Sequence, residues 1–170
     1  MMANTNLDKP FSLFQRWYDE AIEKEIDVPS AMSVATVDAK GRPSSRMVLL
    51  KEYDTSGFVF YTNLESRKGD DIAANPQVSL LFHWKSLKRQ VRIEGKASIV
   101  DDAQADTYFA TRDRGSQIGA WASRQSVAMK SKHDLEKQVA LHAAKFGVAK
   151  ISRPAFWSGY CVMPDRFEFW

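Results

Sequence analysis

The chain has 170 residues, of which 44% are apolar and 26% charged, and it carries a net charge of +3 at pH 7. That size and composition fit one soluble globular domain with a sizeable core, not a disordered or fibrous chain. So slight a positive balance does not argue for nucleic acid, no apolar run approaches a membrane span, and a single cysteine, Cys161, excludes an internal disulfide.

Residues 1–10 are polar and lack the apolar centre of a signal peptide. They are expected to form a flexible lead to a single domain over residues 11–170, with a cytoplasmic setting as the default. Ser12 and Gln15 are spaced as a capping box, and Phe14, Trp17, Tyr18, Ala21 and Ile22 recur at helical spacing, which predicts a helix over 13–25. Strands are predicted at 31–37, 44–53 and 58–62, the last two joined through Gly57 as a hairpin. A short helix over 66–74 stops before Pro76. A buried strand follows at 77–84, then a long strand at 87–100 with one polar face and a bend at Gly95. Helices are predicted at 101–112, at 116–121 with Ser116 as cap, and at 134–146. Residues 154–157 read as a loop, and a final strand pair, 159–163 and 166–170, turns around Pro164-Asp165. Strands joined by short turns, without strand–helix–strand alternation, predict an α+β fold with an antiparallel sheet closed as a barrel.

The stretch from Arg46 to Lys68 carries the chemistry. Arg46, Lys51, Arg67 and Lys68 fall at or near the ends of apolar strands, with the hydroxyls of Tyr61, Thr62 and Ser66 between them. An anionic ligand with a flat apolar body needs such a set. Arg46 and Lys51 lie on opposite faces of a regular strand, so they serve one anionic group only across a bulge, or else two different ones. Arg67 and Lys68 open a helix, where the dipole disfavours cations unless an anion is present. Taken singly, each side chain has a plainer reading: Arg46 and Lys51 as solvated strand ends, Gln90 as solvent-facing, Tyr108 as core, Arg112 as a surface charge, Trp170 as packing. The joint pattern is what points to a site. His83, His133 and His142 are far apart and form no metal pattern.

The motifs Arg46–Lys51, Phe60-Tyr61-Thr62-Asn63, Ser66-Arg67-Lys68, Arg89-Gln90-Val91, Ser116–Trp121, Ser123-Arg124-Gln125-Ser126 and Glu168-Phe169-Trp170 occur together in one order and spacing. Through them the chain from Asp8 to Trp170 resembles the pyridoxine (pyridoxamine) 5′-phosphate oxidase family. The resemblance implies an FMN-binding split β-barrel of Greek-key type with flanking helices, built as a homodimer with FMN at the subunit interface. It implies that Arg46, Arg67 and Lys68 hold the FMN phosphate with Tyr61 and Thr62, and that Met47, Val48, Leu49, Leu50 and Lys51 lie along the flavin. Gln90 would hydrogen-bond the cofactor, and Gln125, Ser126 and Trp170 would complete the site from the second subunit. Lys51, Tyr108, Arg112 and Ser116 match positions that hold the substrate phosphate; an ammonium, a guanidinium and two hydroxyls suit a phosphate monoester on chemical grounds as well.

The implied reaction oxidises pyridoxamine or pyridoxine 5′-phosphate to pyridoxal 5′-phosphate, with dioxygen as acceptor and hydrogen peroxide as product. Its redox chemistry belongs to the flavin, so no catalytic side chain or metal is expected. Two further readings stay open: a non-catalytic split barrel that holds FMN or pyridoxal phosphate, and another flavin-dependent oxidoreductase on the same fold. The family pattern continues past Trp170 to an Arg-x-His segment over the substrate ring, and it has basic and aromatic lid residues before the first helix. Neither has a counterpart in this sequence, so the FMN and phosphate positions are expected to be nearly complete and the ring-clamping positions missing.

Overall fold

The computed structural model describes residues 8–123, 125–127 and 131–170. Its strands are β1 (Ala31–Val37), β2 (Pro43–Leu49), β3 (Glu52–Asp54), β4 (Gly57–Asn63), β5 (Gln77–Trp84), β6 (Arg89–Ile99) and β7 (Trp157–Phe169). Alternation sorts their side chains: Met32 and Val34 of β1, Leu80 and Phe82 of β5, and Val91 and Ile93 of β6 are fully buried. The strands form one sheet in the order β2-β1-β5-β6-β7-β4-β3, every pair antiparallel.

β2 and β3 are neighbours in sequence but edges of the sheet in space. The chain crosses between them at Leu50-Lys51. The Leu50 amide donates to Ser30 O at 2.8 Å, and the next amide, of Lys51, donates to Val59 O at 2.9 Å. Two consecutive amides therefore bond to opposite sides of the curled sheet and form its seam. The single strand expected over 44–53 is thus two strands, and β2 pairs with β1, leaving only β3–β4 as the hairpin. A straight strand cannot bond to both edges, so the backbone turns at Leu50, whose side chain enters the core.

The expected final pair is instead one strand, β7. Its ladder with β6 shifts register between Glu94 and Gly95, with Gly95 opposite Pro164. A Cβ on Gly95 would lie 2.1 Å from Met163 O. The proline therefore falls at an irregularity, where its missing N–H breaks no regular rung, and the strand runs on.

α1 (Asp8–Lys24) begins earlier than expected, with Pro10 in its first turn, where an N–H has no helical partner to lose. Residues 8–10 are thus helical, and the rest of the expected lead lies outside the described residues. Ser12 and Gln15 sit inside α1 and do not cap it; the Gln15 amide donates to Asp19 at 2.8 Å. Phe14 meets Tyr53, Phe58 and Phe82 edge-on. Each such buried ring contributes roughly 1.5–3 kcal/mol.

α2 (Arg67–Ala74) follows β4. α3 (Asp102–Thr111), α4 (Arg114–Ala122) and α5 (Lys132–Phe146) carry a smaller core around Phe109, Ile118, Ile151 and Trp157. Asp101 caps α3 and Asp113 caps α4, each accepting from the amide three residues on. Ser116 is therefore inside α4, where its amide meets Asp113 Oδ1 at 2.8 Å. Among the described residues no helix is long and apolar enough to cross a membrane.

Candidate functional site

The turn between β4 and α2 builds a cationic cradle. Asn63 Oδ1 accepts the Glu65 amide at 2.7 Å, and Ser66 Oγ donates to Asn63 O at 2.7 Å. A Cβ on Gly69 would fall 1.8 Å from Leu64 O, so α2 sits this tightly on the turn only with glycine there. The tight turn folds Lys68 back against β4. Its ammonium donates to Thr62 Oγ1 at 2.8 Å, Ser66 Oγ at 3.0 Å and Gln125 Oε1 at 2.6 Å.

Lys68 is only 7% exposed, and no carboxylate among the described residues lies within ion-pair range of it. Burial first, and the Arg46 charge second, push its pKa down to about 8. Arg46 donates through Nη1 to Thr36 Oγ1 at 2.6 Å and through Nη2 to Ser44 Oγ at 2.5 Å, with Asp71 Oδ2 3.5 Å away. Desolvation lowers the Arg46 pKa, against the pull of Asp71. At the start of α2 the Arg67 amide donates to Ser126 Oγ at 3.2 Å, while the Arg67 side chain is exposed. Two cations share one carboxylate here, and Lys68, buried with none of its own among the described residues, makes a site that fits an anion.

A second cluster lies around the near-parallel rings of Tyr61, Tyr108 and Trp157. Tyr61 stacks on Tyr108 with centroids 4.0 Å apart and on Trp157 at 5.3 Å. The Arg112 guanidinium carbon lies 4.7 Å from the Trp157 ring centre. Arg112 Nη1 is buried without a hydrogen-bond partner among the described residues, and desolvation lowers the Arg112 pKa. An orphaned guanidinium N–H again suits an anionic acceptor. The Tyr61 hydroxyl donates to Glu52 Oε1 at 2.8 Å; burial first, then Glu52, raises the pKa of that phenol strongly.

Both clusters open on one cleft of about 600 Å³. Met47, Val48, Leu49, Lys51, Tyr61, Thr62, Lys68, Tyr108, Arg112, Ser116 and Gln125 all line it. Most of the residues singled out from the sequence therefore meet at one place. Leu50 does not, because it is 3% exposed in the barrel core. Arg46, Arg67 and Ser126 stand behind the cradle and do not line the cleft. Gln125 and Ser126 reach the cradle within the same chain, where the resemblance brought them from a second subunit. The Tyr61 hydroxyl is turned to Glu52 and away from the cradle, because successive residues of β4 face opposite sides and Thr62 takes the inward one.

Gln90 and Trp170 lie elsewhere, exchanging backbone hydrogen bonds at 2.9 and 2.8 Å, with Trp170 73% exposed. Sequence reasoning missed Trp157, Asn63, Asp113 and Gly119 as cleft residues. Trp157 reads as packing in any linear pattern. Asp71 carried a signal, since it lies one helical turn beyond Lys68 and so on the same face.

An antiparallel half-barrel of this topology, with flanking helices, is an FMN-binding split barrel. A pyridoxamine 5′-phosphate oxidase-related, FMN binding protein from Nostoc punctiforme PCC 73102 shares the fold, with a TM-score of 0.70 over 99% of this chain and 86% of its own, at 15% identity. PhzG from Burkholderia lata 383, solved in complex with tetrahydrophenazine-1-carboxylic acid, matches with a TM-score of 0.88 over 95% of this chain and 79% of its own, at 28% identity. The pyridoxine/pyridoxamine 5′-phosphate oxidase of Caulobacter vibrioides is 56% identical over 163 residues, which are 96% of this chain and 73% of that protein. The family profile described as pyridoxamine 5′-phosphate oxidase matches residues 18–144. The chain belongs to the pyridoxamine 5′-phosphate oxidase family.

Proposed function

We propose that this chain is an FMN-dependent oxidase that converts pyridoxamine 5′-phosphate or pyridoxine 5′-phosphate to pyridoxal 5′-phosphate, with dioxygen as acceptor and hydrogen peroxide as product. The observation that carries the reading is the pairing of two separate anion-seeking clusters on one cleft, Lys68 with Thr62 and Gln125, and Arg112 with Tyr108, Ser116 and Lys51. A phosphorylated flavin and a phosphorylated pyridine need two phosphate sites in one cavity; a single phosphorylated ligand needs one.

In this reading Lys68, Thr62 and Gln125 would hold the FMN phosphate from the cleft, with the Arg46 charge behind them and Arg67 and Ser126 beside them. Met47, Val48 and Leu49 supply an apolar wall. When bound, FMN supplies the redox chemistry, a two-electron oxidation at C4′ of the substrate and return of those electrons to dioxygen. Arg112, held over the Trp157 ring, would present its guanidinium donors to the substrate phosphate, and Lys51, Tyr108 and Ser116 would add an ammonium and two hydroxyls. The side chains thus orient the pyridine by its phosphate and leave its ring free to stack. Gln90 and Trp170 join the site in a homodimer, which the exposure of Trp170, Met47 (64%) and Leu49 (40%) supports.

Anaerobic mixing of the FMN-loaded protein with pyridoxamine 5′-phosphate tests the proposal. Bleaching of the visible flavin absorbance, reversed by air with pyridoxal 5′-phosphate formed, is the expected result. An unbleached spectrum with FMN still bound would refute it for this chain. A second reading, an oxidoreductase of the same fold that oxidises a partly reduced heteroaromatic carboxylic acid, draws support from the likeness to PhzG, solved with tetrahydrophenazine-1-carboxylic acid. Bleaching by such an acid, and not by pyridoxamine 5′-phosphate, would favour it.

A further inference from the structure

Asp71 is a carboxylate that the reading above does not use. It projects from α2 into the barrel and is 4% exposed. A buried carboxylate is costly unless it is paired and hydrogen-bonded. Its Oδ2 accepts the Thr36 hydroxyl at 2.6 Å and lies 3.5 Å from Arg46 Nη2. Thr36, itself 1% exposed, has one hydroxyl proton. Because that proton goes to Asp71, the oxygen lone pairs of Thr36 are left for Arg46 Nη1, 2.6 Å away.

We propose that Asp71 is a positioning residue for the flavin phosphate: through Thr36 and by direct charge it holds the Arg46 guanidinium in place beside the Lys68 cradle. The inference rests on the FMN reading of that cradle. Lys68 and Asp71 are one turn apart on α2, so a single helix face brings a cation and an anion to Arg46. Arg46 and Lys68 repel one another, and among the described residues Asp71 is the one carboxylate within ion-pair range of either. Without it the guanidinium keeps its bonds to Ser44 and Thr36 but loses its one ion pair, and the repulsion from Lys68 is no longer offset by a negative charge. Charge alone argues for the opposite outcome, since a carboxylate this close to Arg46 repels an incoming phosphate. Positioning and repulsion therefore predict changes of opposite sign.

The test uses flavin-free protein titrated with FMN and, in parallel, with riboflavin, which lacks the phosphate; both are followed by flavin fluorescence. Asp71→Asn is expected to raise the Kd for FMN by about tenfold, the scale of one charge-assisted hydrogen bond, and to leave riboflavin unchanged. Thr36→Val, which removes the bridging hydroxyl at constant size, is expected to give the same selective loss, and it decides the matter should Asp71→Asn not fold. Tighter FMN binding, an unchanged Kd, or equal loss for both flavins would overturn the proposal. Wild-type protein that binds FMN no better than riboflavin would overturn the phosphate reading of the cradle itself.

Discussion

Replacing Lys68 by methionine isolates the cradle from the rest of the cleft. The side chain keeps its length and loses an ammonium that bonds Thr62 Oγ1, Ser66 Oγ and Gln125 Oε1 at 2.8, 3.0 and 2.6 Å. For the flavin-free protein two terms oppose one another. Burial and Arg46 hold the Lys68 pKa at about 8 instead of 10.5, a cost to the charged form on the order of 3 kcal/mol. The three lost hydrogen bonds to the ammonium are worth about 1.5–3 kcal/mol each, so their loss outweighs that relief and the thermal midpoint of the flavin-free variant should fall, by about 2–4 °C for each kcal/mol of the difference. FMN binding has no such compensation. Loss of a charge-assisted bond to phosphate costs about 1.5–3 kcal/mol, or roughly 10–150-fold in Kd. Fluorescence titration with FMN reads that change, with riboflavin as the phosphate-free control. A Kd for FMN within about threefold of wild type, less than the ~1.4 kcal/mol that a tenfold change represents, would refute the placement of the phosphate at Lys68.

The same lysine gives a pH signature. The ammonium must be protonated to bind phosphate, so the wild-type Kd for FMN should climb toward tenfold per pH unit above about 8, and the rise should vanish in Lys68→Met. Because the folded-state pKa lies below the unfolded value, the unfolded chain holds more protons between about 8 and 10.5, and Lys68 makes the flavin-free protein more stable as pH rises through that window. Arg112→Lys should raise KM for pyridoxamine 5′-phosphate by about tenfold with the Kd for FMN unchanged, because an ammonium can neither spread over the Trp157 ring nor offer a planar fork; steady-state kinetics and flavin titration together check it. Gly69→Ala places a methyl 1.8 Å from Leu64 O, and should destabilise the fold by roughly 2–4 kcal/mol in urea unfolding while weakening FMN binding.

Strand alternation and turn residues carried most of the architecture, because β1, β5 and β6 each bury a regular alternate set of side chains. The errors fell where the backbone departs from regularity. Residues 44–53 show unbroken strand propensity, yet the chain changes partner at Leu50-Lys51, and which edge an amide bonds to is a tertiary fact with no local signature. Pro164 carries a turn signal in the sequence, and its tolerance within β7 depends on Gly95, a residue far away in the chain. In the site, the charged and hydroxyl residues were legible as types, and the motif resemblance fixed them as a set. The partners that hold them were not. Gln125 meets Lys68 in the same chain and Trp157 supports Arg112, and both links span separations that no spacing rule covers.

The seam has a consequence for engineering. Met47, Val48, Leu49 and Lys51 line the cleft, and the segment that contains them also stitches the sheet edges together through the Leu50 and Lys51 amides. Enlarging the cavity on that side trades substrate space against closure of the barrel. The opposite wall is free of that constraint. Gly119 and Ala120 of α4 face the cleft, and a Cβ on Gly119 meets nothing within 4 Å. Libraries meant to retune ligand size belong on α4, where side chains can be grown into the cavity one carbon at a time while the barrel backbone keeps its own bonds.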